Sequence, residues 1–289
     1  MLKRTLTAII LIPPILYLVG WSPKWLFLLT LVVGVVLALR EYFALCRAME
    51  IKVFSGLGYT ASILICGAQA LPRHVSDSGV AFLVVGFLLL ISTLAMRPSV
   101  EFKDYLAATS ATIFGILYIG LFLSCLMPIR FATQSFGGDL LVGGLSWLPP
   151  LSGGARLLLL LFLAIWAGDI CAYAVGRPFG KTPFFARISP RKTWEGALAG
   201  LAGSLLAAWA YAHWLWKTAD LKTLILLAAW IAVTGQIGDL VESAIKRGAK
   251  QKDSGTLLPG HGGFLDRIDS LIFAAPSLWL ALFLIGSFS

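Results

Sequence analysis

Apolar runs able to cross a lipid bilayer recur nine times in this chain, near residues 5–20, 25–45, 55–71, 78–96, 106–128, 156–175, 195–216, 222–245 and 268–287. A hydrocarbon core of about 30 Å takes about 20 apolar residues per helix, and inside it every backbone N–H and C=O must find an internal partner. Helices meet that demand one segment at a time. The expected fold is therefore an all-α polytopic membrane protein with about nine transmembrane helices. Only 13% of the residues are charged, about half the share a water-soluble domain spends on its surface. A soluble enzyme, a disordered chain and a disulfide-stapled secreted module are all excluded. Cys46, Cys66, Cys125 and Cys171 are scattered through apolar stretches with no Cys-x-x-Cys pair, so no disulfide framework or zinc site is expected.

Two of the runs are weak. The third is diluted by Gly56, Gly58, Gly67 and Gln69, and the first is short and carries Pro13 and Pro14. Lys3 and Arg4 ahead of the first run give it the look of a signal peptide. Trp21, Ser22 and Pro23 follow instead of a small-residue cleavage site, so a retained first helix is expected. Basic residues orient the bundle. With the N-terminus and the even-numbered loops on one side, that side holds 17 of the 23 Lys and Arg residues. Basic loops stay cytoplasmic, which places the N-terminus in the cytoplasm and the C-terminus outside. The net charge of +9 has a second reading, in which part of it faces phosphates.

The loops differ in kind. The outer loop 129–155 is rich in Gly, Ser and Pro and nearly uncharged, with Trp147 before Pro149 and Pro150, and suits a position at the membrane interface. The cytoplasmic loops 176–194 and 246–267 are dense in Lys, Arg, Asp, Gly and Pro. No internal repeat emerges, which gives no support to an inverted-repeat transporter. The chain reads as a single integral membrane domain over 1–289, with a helical bundle at 1–128 and the chemistry-bearing helices and loops at 156–289.

Ionisable residues inside apolar spans are functional candidates by default, because each is costly to insert. In the sixth span Asp169 and Tyr173 lie one helical turn apart. In the eighth, Asp239, Glu242, Ser243 and Lys246 fall at i, i+3, i+4 and i+7 and so share one helix face. That stripe is either an internal ion pair, with an acid neutralising Lys246, or part of a site. A lone acid such as Asp169 is often only a packing hydrogen bond.

The last cytoplasmic loop favours a site. Asp266 and Asp269 sit three apart where the final span begins, spaced to share a divalent cation, and hard oxygen ligands suit Mg²⁺. Gly260, Gly262 and Gly263 around His261 allow a tight backbone turn that offers N–H groups to phosphate oxygens. Lys246, Arg247, Lys250 and Lys252 supply counter-charge. Carboxylates for a metal, cations and a glycine turn together describe a polyphosphate site. The 176–194 loop is of similar make. Ser189, Lys192 and Lys181 suit phosphate oxygens, although Ser189-Pro190 with basic neighbours is also an ordinary turn. Neither GxxxxGK[ST] nor a Rossmann GxGxxG is present, so no soluble α/β cradle is expected.

The run from Ser243 to Asp269 resembles the signature of the phosphatidate cytidylyltransferases (CDP-diacylglycerol synthases). Ser243, Lys246, Arg247, Lys252, Asp253, Pro259, His261, Gly262, Gly263, Asp266, Arg267 and Asp269 all match its fixed positions. The segments Asp169 to Lys181 and Ile188 to Gly196 are similar to that family's upstream loops. The resemblance is firm over 166–275, while the N-terminal half matches only as a hydrophobic bundle. It implies transfer of CMP from CTP to phosphatidic acid, with release of pyrophosphate and formation of CDP-diacylglycerol. It also implies that Asp239, Asp266 and Asp269 bind metal, Mg²⁺ with a second cation, and that Ser243 and Lys246 lie beside the phosphates. Lys181, Ser189, Lys192, Arg247, Lys252, His261, Gly262, Gly263 and Arg267 become candidate phosphate contacts, with Asp169, Tyr173, Glu242 and Asp253 in support. A homodimer in a bacterial inner membrane, with its site on the cytoplasmic side and no nucleic-acid partner, completes the expectation. The alternatives are a CDP-alcohol phosphotransferase, whose Asp-Gly-x-x-Ala-Arg pattern is not found, and a cation-coupled transporter using Asp169 and Asp239 as an ion path.

Overall fold

The computed structural model describes residues 13–96, 101–132, 150–257 and 262–285. Nine helical segments occur among the described residues. They are α1 (13–20), α2 (Lys24–Ala48), α3 (Ser55–Gln69), α4 (Arg73–Leu94), α5 (Phe102–Arg130), α6 (Gly153–Phe179), α7 (Trp194–Leu215), α8 (Leu221–Gly248) and α9 (Leu265–Leu284). Seven of these, α2 and α4 through α9, contain segments long and apolar enough to cross a membrane. The chain is a helical multi-pass membrane protein. Helix α3 has 15 residues, which at about 1.5 Å each falls well short of a 30 Å core. The first nine-span expectation thus rests, for α1 and α3, on helices shorter than a full crossing among the described residues.

One compact unit comprises Lys24–Pro128 and Ile245–Ile268. Its core gathers Ala61, Ile65, Ile91 and Ile116, with Phe54, Leu57, Leu83 and Phe87 packed around them. Helix α5 loosens into a π-helical turn at Ile116–Leu121. Close approach explains the glycines beside that turn. A Cβ at Gly115 would lie 2.7 Å from the Tyr42 ring, and one at Gly120 would run into the Ser62 side chain. The Tyr42 hydroxyl donates to Ala111 O at 2.8 Å, tying α2 to α5. Helix α4 turns large apolar side chains outward, Phe82 and Leu89 among them, as a helix solvated by lipid should.

The second unit comprises the described residues of Met1–Pro23, Ile129–Ala244 and Asp269–Ser289. Small residues bring α6 and α7 together. Cβ atoms at Gly168 and Gly200 would lie 2.7 Å from Ser204 Oγ and 3.1 Å from Gly168 O respectively. With the backbones this close, Ser204 Oγ reaches across to Ala164 O at 2.7 Å, a packing mode typical of membrane helices. Helices α8 and α9 approach in the same way at Gly238, where a Cβ would lie 2.6 Å from Asp269 O. At the far end Arg130, 6% exposed, donates to Ser152 Oγ at 3.0 Å and Gly20 O at 2.8 Å.

One element departs from the all-α expectation. Between α6 and α7 the chain forms an antiparallel hairpin of β1 (Pro183–Phe185) and β2 (Ser189–Thr193), paired at Pro183↔Thr193 and Phe185↔Ser189. Between those pairs β1 has Phe184 alone, whereas β2 has Pro190, Arg191 and Lys192, so β2 bulges. Bulges re-aim side chains. The hairpin is clamped at its base: Trp194 N donates to Thr182 O at 2.9 Å, and Thr182 Oγ1 donates to Glu195 Oε1 at 3.0 Å. Thr193 Oγ1 then caps α7 by accepting from Gly196 N at 3.2 Å.

Candidate active site

A cavity of about 950 Å³ opens in the second unit, between α6, α7, α8 and the hairpin. That volume lies in the range of small-ligand sites. Asp169, Tyr173 and Arg177 line it from α6, Arg191 and Lys192 from the bulge of β2, Gln236 and Asp239 from α8, and Ser270 from α9. Gln236 Nε2 donates to Ala197 O at 3.0 Å, joining α8 to α7 beside the cavity. Arg177 Nη1 donates to Tyr173 Oη at 2.6 Å and its guanidinium lies over that ring. Three cationic side chains therefore line the cavity together with two acids, Asp169 and Asp239.

Lys192 forms an ion pair with Asp239, both half-buried. The bulge makes this reach possible by lifting Lys192 out of the regular register. Ser243 Oγ lies 3.5 Å from Asp239 Oδ1, at the outer limit of hydrogen bonding. Asp239, Glu242 and Asp269 each bring one carboxylate oxygen to within 4.8 Å of the others. Glu242 is fully buried at 0% exposure. Gly238 sets the spacing, since any side chain there would push α8 away from the Asp269 backbone. Three hard oxygen donors this close together suit a divalent cation such as Mg²⁺. The donor set fits.

A second group of the expected residues lies in the first unit. Lys246 Nζ pairs with Asp266 Oδ1 at 2.6 Å. Asp266 Oδ2 accepts from Ser254 N at 2.9 Å and Gly263 N at 2.8 Å, with Ser254 Oγ 3.0 Å away. Asp266 therefore binds the turn that precedes its own helix, and Glu242 stands with Asp239 and Asp269 in the three-carboxylate group. Gly262 has φ +80°, the left-handed region in which glycine is the natural occupant. A Cβ at Gly263 would collide with Ser254 Oγ and Glu41 Oε2.

The remaining expected residues are dispersed. Lys181, Lys252, Asp253 and Arg267 are exposed, and Ser189 is a register partner of Phe185 in the hairpin. Arg247 donates to Gln251 O at 3.2 Å. His261 lies outside the described residues. Sequence reasoning missed Glu41, Ser254, Gln236, Arg177, Arg191 and Glu195. Glu41 did carry a signal, as an acid within the second apolar run.

Comparison with known proteins adds a family. A family model described as the Cytidylyltransferase family matches residues 2–285. A phosphatidate cytidylyltransferase of Synechocystis sp. is 35% identical over 268 residues, covering 88% of this chain and 87% of that protein. Relatives of the same name from Bacillus subtilis and Staphylococcus haemolyticus are 33% identical over 251 residues and 32% identical over 279 residues. These cover 83% and 95% of this chain, and 84% and 96% of the relatives.

Proposed function

We infer function from the premise that this chain belongs to the cytidylyltransferase family, as a relative of the phosphatidate cytidylyltransferases, and propose that it makes CDP-diacylglycerol from CTP and phosphatidic acid. One observation carries the reading: a cavity lined by three cationic side chains is also lined by Asp239, which belongs to a group of three carboxylates. A soluble-style nucleotide cradle is absent from the sequence, and this arrangement supplies its chemical equivalents.

The reaction joins two anions. An oxygen of the lipid phosphate attacks the α-phosphorus of CTP, a new P–O bond forms, and the bond to the β-phosphate breaks to release pyrophosphate. The lipid phosphate monoester is already ionised at neutral pH, so no strong general base is required. Bringing the anions together is the difficulty. Lys192, Arg191 and Arg177 lower the repulsion and orient the triphosphate. Lys246, with Ser243, is assigned to the phosphates, and the Gly262–Gly263 turn to holding Asp266, which takes the Gly263 N–H. Asp239, Glu242 and Asp269 are assigned as the carboxylates that hold Mg²⁺. When bound, the cation neutralises phosphate charge and stabilises the leaving pyrophosphate. Asp266 is assigned to holding Lys246, with the second-cation role expected from sequence kept as the outcome that a metal titration distinguishes.

The orientation belongs to the same proposal. A cytoplasmic N-terminus and an outer C-terminus put the basic loops 176–194 and 246–267 on the cytoplasmic side, where CTP is available, in a bacterial inner membrane. A homodimer is part of the reading. The test is purified full-length protein with labelled CTP, phosphatidic acid vesicles and Mg²⁺. Equal yields of CDP-diacylglycerol and pyrophosphate are expected, and absence of both refutes the assignment.

A further inference from the structure

We propose that Glu41, on α2 in the N-terminal half, is a positioning residue for this reaction. It fixes the glycine turn before α9, so that Lys246, held by Asp266 beside that turn, meets phosphate from a set position. The inference rests on the proposed function. It goes beyond it in giving the N-terminal bundle a part in the chemistry.

Glu41 is 7% exposed and is the one acid on α2, a largely apolar helix whose other charged residues are Lys24, Arg40 and Arg47. A carboxylate there is expensive unless its oxygens are engaged, and all the partners found for it belong to one segment. Glu41 Oε1 accepts from Phe264 N at 2.9 Å, and Oε2 accepts from Leu265 N at 2.8 Å and Ser254 Oγ at 2.7 Å. Two of these donors are the backbone groups that open α9, which have no partner within the helix. Negative charge is favoured at that end by the helix dipole. The surrounding segment is shaped to admit the carboxylate. A Cβ at Gly255 would lie 2.7 Å from Glu41 Oε1, and one at Gly263 would collide with Oε2. Ser254 then links Glu41 to Asp266, since its hydroxyl lies within 3.0 Å of Asp266 Oδ2 and its N–H donates to the same oxygen at 2.9 Å. Asp266 in turn holds Lys246. Glu41 thus sets the turn and, through Ser254 and Asp266, the ammonium group assigned to phosphate.

The test compares wild-type, Glu41→Gln, Glu41→Asp and Ser254→Ala full-length proteins in detergent micelles, by steady-state kinetics and by amide hydrogen exchange. Glutamine keeps the size but turns an NH₂ toward N–H donors. Exchange across residues 262–266 should rise at least about tenfold in Glu41→Gln, with exchange in α3 and α5 as in wild type. The kcat should fall about 10²-fold while the KM for phosphatidic acid stays near its wild-type value. Glu41→Asp should recover part of both losses, and Ser254→Ala should move both in the same direction by less. Unchanged exchange at 262–266 overturns the proposal, as does raised exchange with wild-type turnover. Raised exchange throughout α2–α5 also overturns it, by making Glu41 a general packing residue. A wild-type protein without turnover refutes the reaction and the positioning role together, while the exchange data still report whether Glu41 holds the turn.

Discussion

Replacing Gly238 with alanine tests the three-carboxylate group without touching a carboxylate. The added Cβ would lie 2.6 Å from Asp269 O and 3.1 Å from Phe273 Cβ. The near atom is backbone, so no flexible side chain can yield. Ordinary contact begins near 3.4 Å, so α8 and α9 must part locally by roughly 0.8 Å. Overpacking of this kind costs about 1–3 kcal/mol of stability. It also separates Asp239 and Glu242 from Asp269. A misplacement near 1 Å is worth about 10² in rate, so Gly238→Ala should lose about 10²-fold in kcat and need more Mg²⁺ for half-maximal activity. Initial rates against Mg²⁺ concentration, with an unfolding midpoint in micelles, measure both. Gly86→Ala is the control. Nothing lies within 4 Å of that Cβ, and removing a mid-helix glycine should stabilise by about 0.5–1 kcal/mol. If Gly238→Ala keeps wild-type kcat and Mg²⁺ dependence, the spacing of the carboxylates has no bearing on turnover and the metal assignment is wrong.

Other outcomes follow from the same geometry. Asp239→Asn, Glu242→Gln and Asp269→Asn should each raise the half-saturating Mg²⁺ concentration at least about tenfold. Asp266→Asn should instead lower turnover with the Mg²⁺ requirement little changed, and the reverse pattern would restore Asp266 as the metal ligand. Lys192→Met, which strips Asp239 of its partner, should lower kcat/KM for CTP about 10²-fold, and an unchanged value would leave the bulge of β2 without a role. Hydrogen bonds from the Thr223 hydroxyl, then its N–H, hold the Asp220 carboxyl below its usual range at the start of α8. A depressed carboxyl stabilises the fold above its unfolded value and loses that contribution as pH falls through the folded one. Asp220→Asn should therefore flatten the loss of thermal stability below about pH 4.

Membrane character was legible because lipid imposes it on every span at once, and hydropathy reports it directly. The length of α3 was not, since its glycine-diluted run reads as longer than the 15 residues that are helical. The hairpin escaped because its strands are short, Pro190 sits inside β2, and the pattern read as a turn. Its Lys192 was identified by residue type, but only the bulge explains how it meets Asp239. Asp239, Glu242 and Asp269 were each visible as acids in apolar helices. Their grouping depends on Gly238 admitting α9, a tertiary event that helical periodicity does not encode. Asp266 and Asp269 shared a predicted face, yet a first-turn acid also satisfies helix-start donors, and Asp266 accepts from Gly263 N. Glu41 was visible as an acid in an apolar run, but its role was not, because its partners are 213 to 224 residues away.

That separation has a consequence for synthesis. Glu41 leaves the ribosome long before Ser254, Phe264 and Leu265, so α2 enters the membrane with its acid lacking the donors it will finally hold. Insertion of an acidic residue at a helix centre costs about 2.5–3.5 kcal/mol, and Glu41, in the last third of α2 beside Arg40, carries a smaller debt until the last helix arrives. A chain stopped before residue 254 would keep that debt permanently.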